Sequence, residues 1–165
     1  NRPGSNSLIL SKYYKSKFKD KDIDADLIDL QDLPKDFVFS NMYGNSHPDF
    51  TKIQEKVSKA NKFLFVIPEY NGSFPGVLKA FIDACKFPES FAEKKCALVG
   101  LSDGKFGNLR GLSHFSGVAN YIKMDVYHNK MYLPGIGKDI NDDGEINTPI
   151  HVALIEKQIE GFINF

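Results

Sequence analysis

Residues 62 to 78 read Lys-Phe-Leu-Phe-Val-Ile-Pro-Glu-Tyr-Asn-Gly-Ser-Phe-Pro-Gly-Val-Leu. Phe63 to Ile67 is an unbroken apolar run, short and rich in aromatic and β-branched residues, as expected of a strand buried on both faces of a parallel sheet. Pro68 has no N–H for a ladder, so the strand stops there. Asn71-Gly72 is a turn pair that tolerates positive φ. Ser73 suits the cap of a following helix and Pro75 its first turn. From there Val77, Leu78, Phe81, Ile82 and Cys85 recur at helical spacing on one face. Glu69 to Phe74 is therefore a tight loop between the carboxyl end of a parallel strand and a helix N-terminus, the place where open α/β sheets bind ligands.

Outward from this stretch, strands and helices alternate. Towards the N-terminus, a helix is expected from about Ser5 or Asn6 to Phe18, with Leu10, Tyr13, Tyr14 and Phe18 inward. Asp24 to Leu30 alternates weakly and suggests a short strand near the sheet edge. Leu33 to Pro48 is a long connection containing Phe37, Phe39, Met42, Tyr43 and His47, aromatic enough to cover core or to wall a ligand pocket. Pro48 opens a helix with Phe50, Ile53 and Val57 on one face. Towards the C-terminus, Cys96 to Leu101 is a second fully apolar strand, opening into the glycine-bearing loop Ser102 to Asn108. A helix to about Ile122 follows, with Leu109, Leu112, Ser116, Ala119 and Ile122 inward. Met124 to Leu133 reads as the last strand. Pro149 to Phe165 reads as the last helix, with Val152, Ile155, Ile159, Phe162 and Ile163 inward. This alternation predicts one α/β domain over residues 1–165, a doubly wound parallel sheet with helices on both faces. Right-handed crossovers bring the loops 1–6, 68–74 and 102–108 to one rim, where they outline a nucleotide-sized site.

Composition narrows the function. The 165 residues carry balanced charge, with 21 basic and 21 acidic side chains. There is no basic surplus for nucleic acid or an anionic membrane, and no acidic surplus for docking. No apolar run has the length of a membrane span, and no signal peptide is visible. Cys85 and Cys96 lack metal-like spacing and read as reduced core residues of a cytoplasmic protein. His47, His114, His128 and His151 are scattered. Asp139 to Ile146 copies the front half of a calcium-binding loop. Its twelfth position is Ile150 where a bidentate Glu is required, so a solvated turn is expected and no metal site.

No nucleophile elbow, Walker lysine or dinucleotide fingerprint is present. What fits is a phosphate at Arg2, Ser5 and Ser7, at a helix N-terminus. A flat aromatic cofactor can lie against the Tyr70-Asn71-Gly72 backbone and the Gly104 to Gly107 loop.

The run Pro68-Glu69-Tyr70-Asn71-Gly72-Ser73-x-Pro75-Gly76-x-Leu78-Lys79-x-x-Ile82-Asp83 resembles the signature of the NAD(P)H-dependent FMN reductases, the flavodoxin-like family of chromate, quinone and azo-dye reductases. The resemblance extends to Arg2-x-x-Ser5-x-Ser7 and Ser102-x-Gly104. It implies a three-layer α/β/α fold with strand order 2-1-3-4-5. It also implies FMN held by its phosphate at Arg2, Ser5 and Ser7, and by its ring at Pro68, Glu69, Tyr70, Asn71, Gly72 and Ser73 and near Ser102, Gly104, Gly107 and Asn108. NADPH or NADH then supplies hydride, a small-molecule acceptor of quinone, nitro, azo or flavin type takes it, and a homodimer or homotetramer completes the pocket. The flavin carries the chemistry, so no catalytic residue is expected from the chain.

The sequence departs from the family pattern in three places. The apolar strand that precedes the phosphate loop is not present, which leads us to expect about eight to ten further residues ahead of Asn1; an intact mass equal to residues 1–165 alone would contradict this. Gly107-Asn108 stands in place of Gly-Gly, and Ser7 in place of Asn. Two alternatives carry their own tests. A flavin-binding electron carrier or sensor would keep its colour on anaerobic addition of NADPH. A module that had lost its flavin would be colourless and beyond reconstitution.

Overall fold

The structure is a computed structural model that describes residues 3–42 and 47–165. Its elements in chain order are α1 (Asn6–Lys19), α2 (Phe37–Ser40), α3 (Pro48–Lys59), β1 (Lys62–Pro68), α4 (Gly76–Ala84), β2 (Lys95–Ser102), α5 (Leu109–Tyr121), β3 (Asp125–Val126), β4 (Met131–Pro134), α6 (Ile136–Asp139) and α7 (Pro149–Asn164). β1 pairs in parallel with β2 along its whole length, from Lys62↔Lys95 to Pro68↔Leu101. On the other edge of β2, β3 pairs with Lys95 and Cys96, and β4 with Val99 to Ser102. The expected last strand is thus one path in two pieces, interrupted at 127–130.

The period of two along β2 sorts the core into layers. Ala97, Val99 and Leu101 pack with Leu10, Tyr14, Ile155 and Ile159 of α1 and α7. Cys96 and Leu98 pack on the opposite face with Val57, Phe81, Leu112 and Phe115 of α3, α4 and α5. This is the α/β/α sandwich that the alternation predicted. Gln158 ties the first layer together, donating from Nε2 to the Leu98 and Asn129 carbonyls and accepting from the Tyr14 hydroxyl at 2.8 Å.

Several expectations change. Residues 24–29 form no ladder among the described residues. A groove of about 550 Å³ separates them from β1, lined by Ile23 to Leu30 on one wall and by Phe63 to Pro68 on the other. A ladder needs strands about 4.8 Å apart, and this gap is wider. For the same reason β1 is mostly half-buried, with Ile67 its one fully buried residue. Leu109 faces out, while Leu112, Phe115 and Ala119 take the inner face of α5. Phe37 covers core as expected, and Phe39 is exposed; neither lines a described cavity, and Tyr43 lies outside the described residues. Asp139 is buried rather than solvated. Its carboxylate accepts from the Thr148 N–H at 2.7 Å and pairs with His151 Nδ1 at 2.6 Å, closing the turn into α7. Cys85 and Cys96 are free and buried, and burial pushes each thiol up to about 12.

Candidate functional site

Parallel pairing of β1 with β2 brings their carboxyl ends together, and the Glu69 N–H extends the ladder by donating to the Leu101 carbonyl. Beyond Glu69 the chain makes a hairpin turn. Tyr70 and Ser73 exchange both backbone hydrogen bonds, at 2.9 and 3.0 Å. Asn71 and Gly72 between them have φ of 49° and 75°, the two left-handed residues of a type I′ turn, for which Asn-Gly is the favoured pair. Ser73 does not cap α4, whose N-cap is Pro75. Its hydroxyl instead meets His114 Nδ1 at 2.9 Å, tying the turn to α5.

Next to this turn stands the N-terminus of α1. Ser5 is its N-cap, accepting from the Leu8 N–H. Its hydroxyl lies 3.1 Å from that of Ser7. The first N–H groups of any helix lack intrahelical acceptors and carry the positive end of its dipole. Two hydroxyls and these N–H groups make a donor set that suits a phosphate. Arg2 lies outside the described residues.

A cavity of about 340 Å³ opens between these elements, within the range of small-molecule sites. Of the residues expected from sequence, Ser5, Ser7, Pro68, Glu69, Tyr70, Asn71 and Ser102 line it, and Asn6, Pro75, Leu101, Asp103 and Ile136 join them. All three predicted loops therefore converge. Gly72, Ser73, Gly104, Gly107 and Asn108 do not line it. Gly107 and Asn108 sit behind the rim, where a Cβ on Gly107 would lie 2.5 Å from the Leu133 nitrogen. Asn108 Nδ2 donates to the Ile67 carbonyl at 2.9 Å, and its buried Oδ1 has no partner among the described residues. Gly104 is held differently, its carbonyl accepting from the Ser102 hydroxyl and the Gly135 N–H.

The residues missing from the sequence reading have recognisable signals. Asp103 accepts from the Gly137 N–H, so the Ser102 loop is braced against α6. Arg110 packs against Gly72: a Cβ there would be 3.3 Å from Nη2, 3.5 Å from Nε and 3.7 Å from Cζ. Arg110 and His114 stand four apart on α5 and so share a face, a spacing legible once the helix is placed.

The fold and rim define a flavodoxin-like class of protein. The whole chain superposes on a flavoenzyme NAD(P)H:(acceptor) oxidoreductase from Paracoccus denitrificans with a TM-score of 0.83, 17% identity and coverage of 99% of this chain and 91% of that one. An NADH:FMN oxidoreductase in its apo form gives a TM-score of 0.75 at 16% identity, covering 98% and 82%. At the sequence level, residues 1–136 match the family described as NADPH-dependent FMN reductase, and the chain belongs to that family. A 2-hydroxy-1,4-benzoquinone reductase of a Burkholderia species is 30% identical over 130 residues, covering 76% of this chain and 69% of that protein. An FMN-dependent NADPH-azoreductase of Staphylococcus saprophyticus is 30% identical over 105 residues, covering 61% and 55%. Among the described residues, no helix is long and apolar enough to cross a membrane.

Proposed function

We propose that this protein binds FMN in the 340 Å³ cavity and uses it to pass hydride from NAD(P)H to a small-molecule acceptor of quinone, nitro, azo or flavin type. The observation that carries the reading is the joining of two unlike surfaces in one cavity: the Ser5–Ser7 donor set and the rigid turn backed by Pro68 and Glu69. The hydroxyls of Ser5 and Ser7, with the α1 N-terminus and Arg2, hold the phosphate. The Pro68 to Ser73 turn and the Ser102 loop present backbone and small side chains to the ring, and Gly104, Gly107 and Asn108 shape that loop from behind. The type I′ turn is fixed before ligand arrives, so little ordering entropy is lost on binding. When bound, the flavin supplies the redox chemistry.

The finer parts of this reading follow. Tyr70, Phe106 and Leu109 are about half exposed or more near the turn, apolar area that suits a homodimer or homotetramer across the rim. The buried free thiols suit a reducing, cytoplasmic setting. The groove beside β1 has apolar walls and opens at Ser5 and Ser7, which suits one more parallel strand in the order 2-1-3-4-5.

The test is a visible spectrum after incubation with FMN and desalting, followed by anaerobic NADPH. Flavin bands that bleach support the reductase; bands that persist support a carrier or sensor; no bands contradict both. Ser5→Ala with Ser7→Ala should weaken FMN binding by about a hundredfold or more, the loss of two hydrogen bonds to a charged group, read by fluorescence titration.

A further inference from the structure

Of the 21 cationic side chains in the sequence, two are arginine, Arg2 and Arg110. Arginine differs from lysine, this chain's ordinary cation, in offering a planar, two-pronged donor. Arg2 belongs to the phosphate loop. Arg110 lies across Gly72, at the back of the turn whose front lines the cavity.

Resting on the FMN reading above, we propose that Arg110, with His114, receives a phosphoryl group of the pyridine nucleotide as it docks over the flavin site. Arg110 is exposed and takes part in no ion pair among the described residues. It does not line the 340 Å³ cavity, so its ligand lies beyond the turn and is not the group held inside. Its backbone is fixed on a helix and its guanidinium packs against Gly72, so less freedom is lost on pairing than for an unsupported side chain. His114 adds a second donor. In the tautomer whose Nδ1 accepts from the Ser73 hydroxyl, the ring N–H is on Nε2, which has no hydrogen-bond partner among the described residues. Quinone and azo acceptors carry no obligatory anion, whereas both nucleotides carry a pyrophosphate and NADPH a further 2′-phosphate. Bidentate arginine pairing matches either.

The test uses FMN-loaded protein with two redox-inert probes, ADP-ribose and 2′-phospho-ADP-ribose, whose Kd values are measured by calorimetry. Arg110→Gln keeps a planar group over Gly72 and removes the charge; Arg110→Lys keeps the charge and removes the fork. Arg110→Gln should weaken at least one probe by about tenfold to a hundredfold, with Arg110→Lys intermediate. KM for the matching nucleotide should rise more than kcat falls, and the FMN Kd should move less than about twofold. Loss confined to 2′-phospho-ADP-ribose identifies the 2′-phosphate as the bound group; equal loss of both probes identifies the pyrophosphate. Unchanged probe affinities alongside weakened FMN binding would overturn the proposal and leave Arg110 as a clamp on the turn. Failure of the unsubstituted protein to take up FMN at all would remove the FMN reading itself, and the proposal with it.

Discussion

β1 and β2 are written in nearly the same language, Phe-Leu-Phe-Val-Ile and Cys-Ala-Leu-Val-Gly-Leu, yet they live in different surroundings. β2 is flanked on both edges and covered on both faces, and Cys96 to Leu101 is buried throughout. β1 has a ladder on one edge and the groove on the other, and remains mostly half-buried. The apolar run establishes that a strand belongs in the interior of a sheet; its neighbours determine how much water it loses. The two strands nevertheless cooperate at their carboxyl ends, where in-register pairing up to Pro68↔Leu101 aligns the loops that form the site.

This contrast can be broken at several strengths. The largest effect is expected from Leu98→Ala, at a fully buried position, which should cost about 3–5 kcal/mol in chemical denaturation. Leu64→Ala in β1 should cost about 1–2 kcal/mol, in proportion to its partial burial. Equal costs would mean that the groove side of β1 is covered in solution. Next comes Gly100→Ala. Its Cβ would lie 2.3 Å from the Gly107 carbonyl oxygen and 3.0 Å from Leu112 Cγ. Backbone cannot yield cheaply there, so we expect a loss of about 2–3 kcal/mol together with weaker FMN binding, because the displaced segment is the Ser102–Asn108 loop. Normal FMN affinity in a destabilised Gly100→Ala protein would separate the loop from the site.

The smallest effect concerns Asp139, far from β1. Burial by itself would raise this carboxyl, but hydrogen bonds from Thr148 and His151 outweigh it and hold the pKa below the ordinary value. A depressed carboxyl stabilises the fold above its unfolded pKa, near 3.9, and that contribution is lost as pH falls through the folded value. The urea midpoint should therefore fall between pH 5 and pH 3, and Asp139→Asn should flatten that fall. An unchanged slope in the variant would assign acid sensitivity to other groups.

Much of the site was legible because a parallel topology sends every strand's carboxyl end to one rim. Pro68 and Ser102 are far apart in sequence, but the strand-loop-helix pattern around each already requires them to meet. The α1 cap at Ser5 and the Asn71-Gly72 turn were readable for a different reason, since their geometry is decided within a few residues. Residues 24–29 misled because alternation records only which side of a segment is apolar and says nothing of a ladder partner. Ser73 misled because a hydroxyl before a helix can serve its own chain or a distant one, and His114 lies 41 residues away. Asp139 looked like a solvated turn residue until Thr148 and His151 closed over it.

The sequence by itself determined the apolar runs, the Asn-Gly turn, the helix start at Ser5 and membership of a fold class, all of which follow from local backbone preference and hydrophobic period. The tertiary structure decided that β1 borders a groove and that the last strand divides around 127–130. It also decided that Gly107 and Asn108 stand behind the rim and that Arg110 lies over Gly72. Each of these depends on which distant segment occupies the neighbouring space, and long-range packing sets that where no short stretch of chain can.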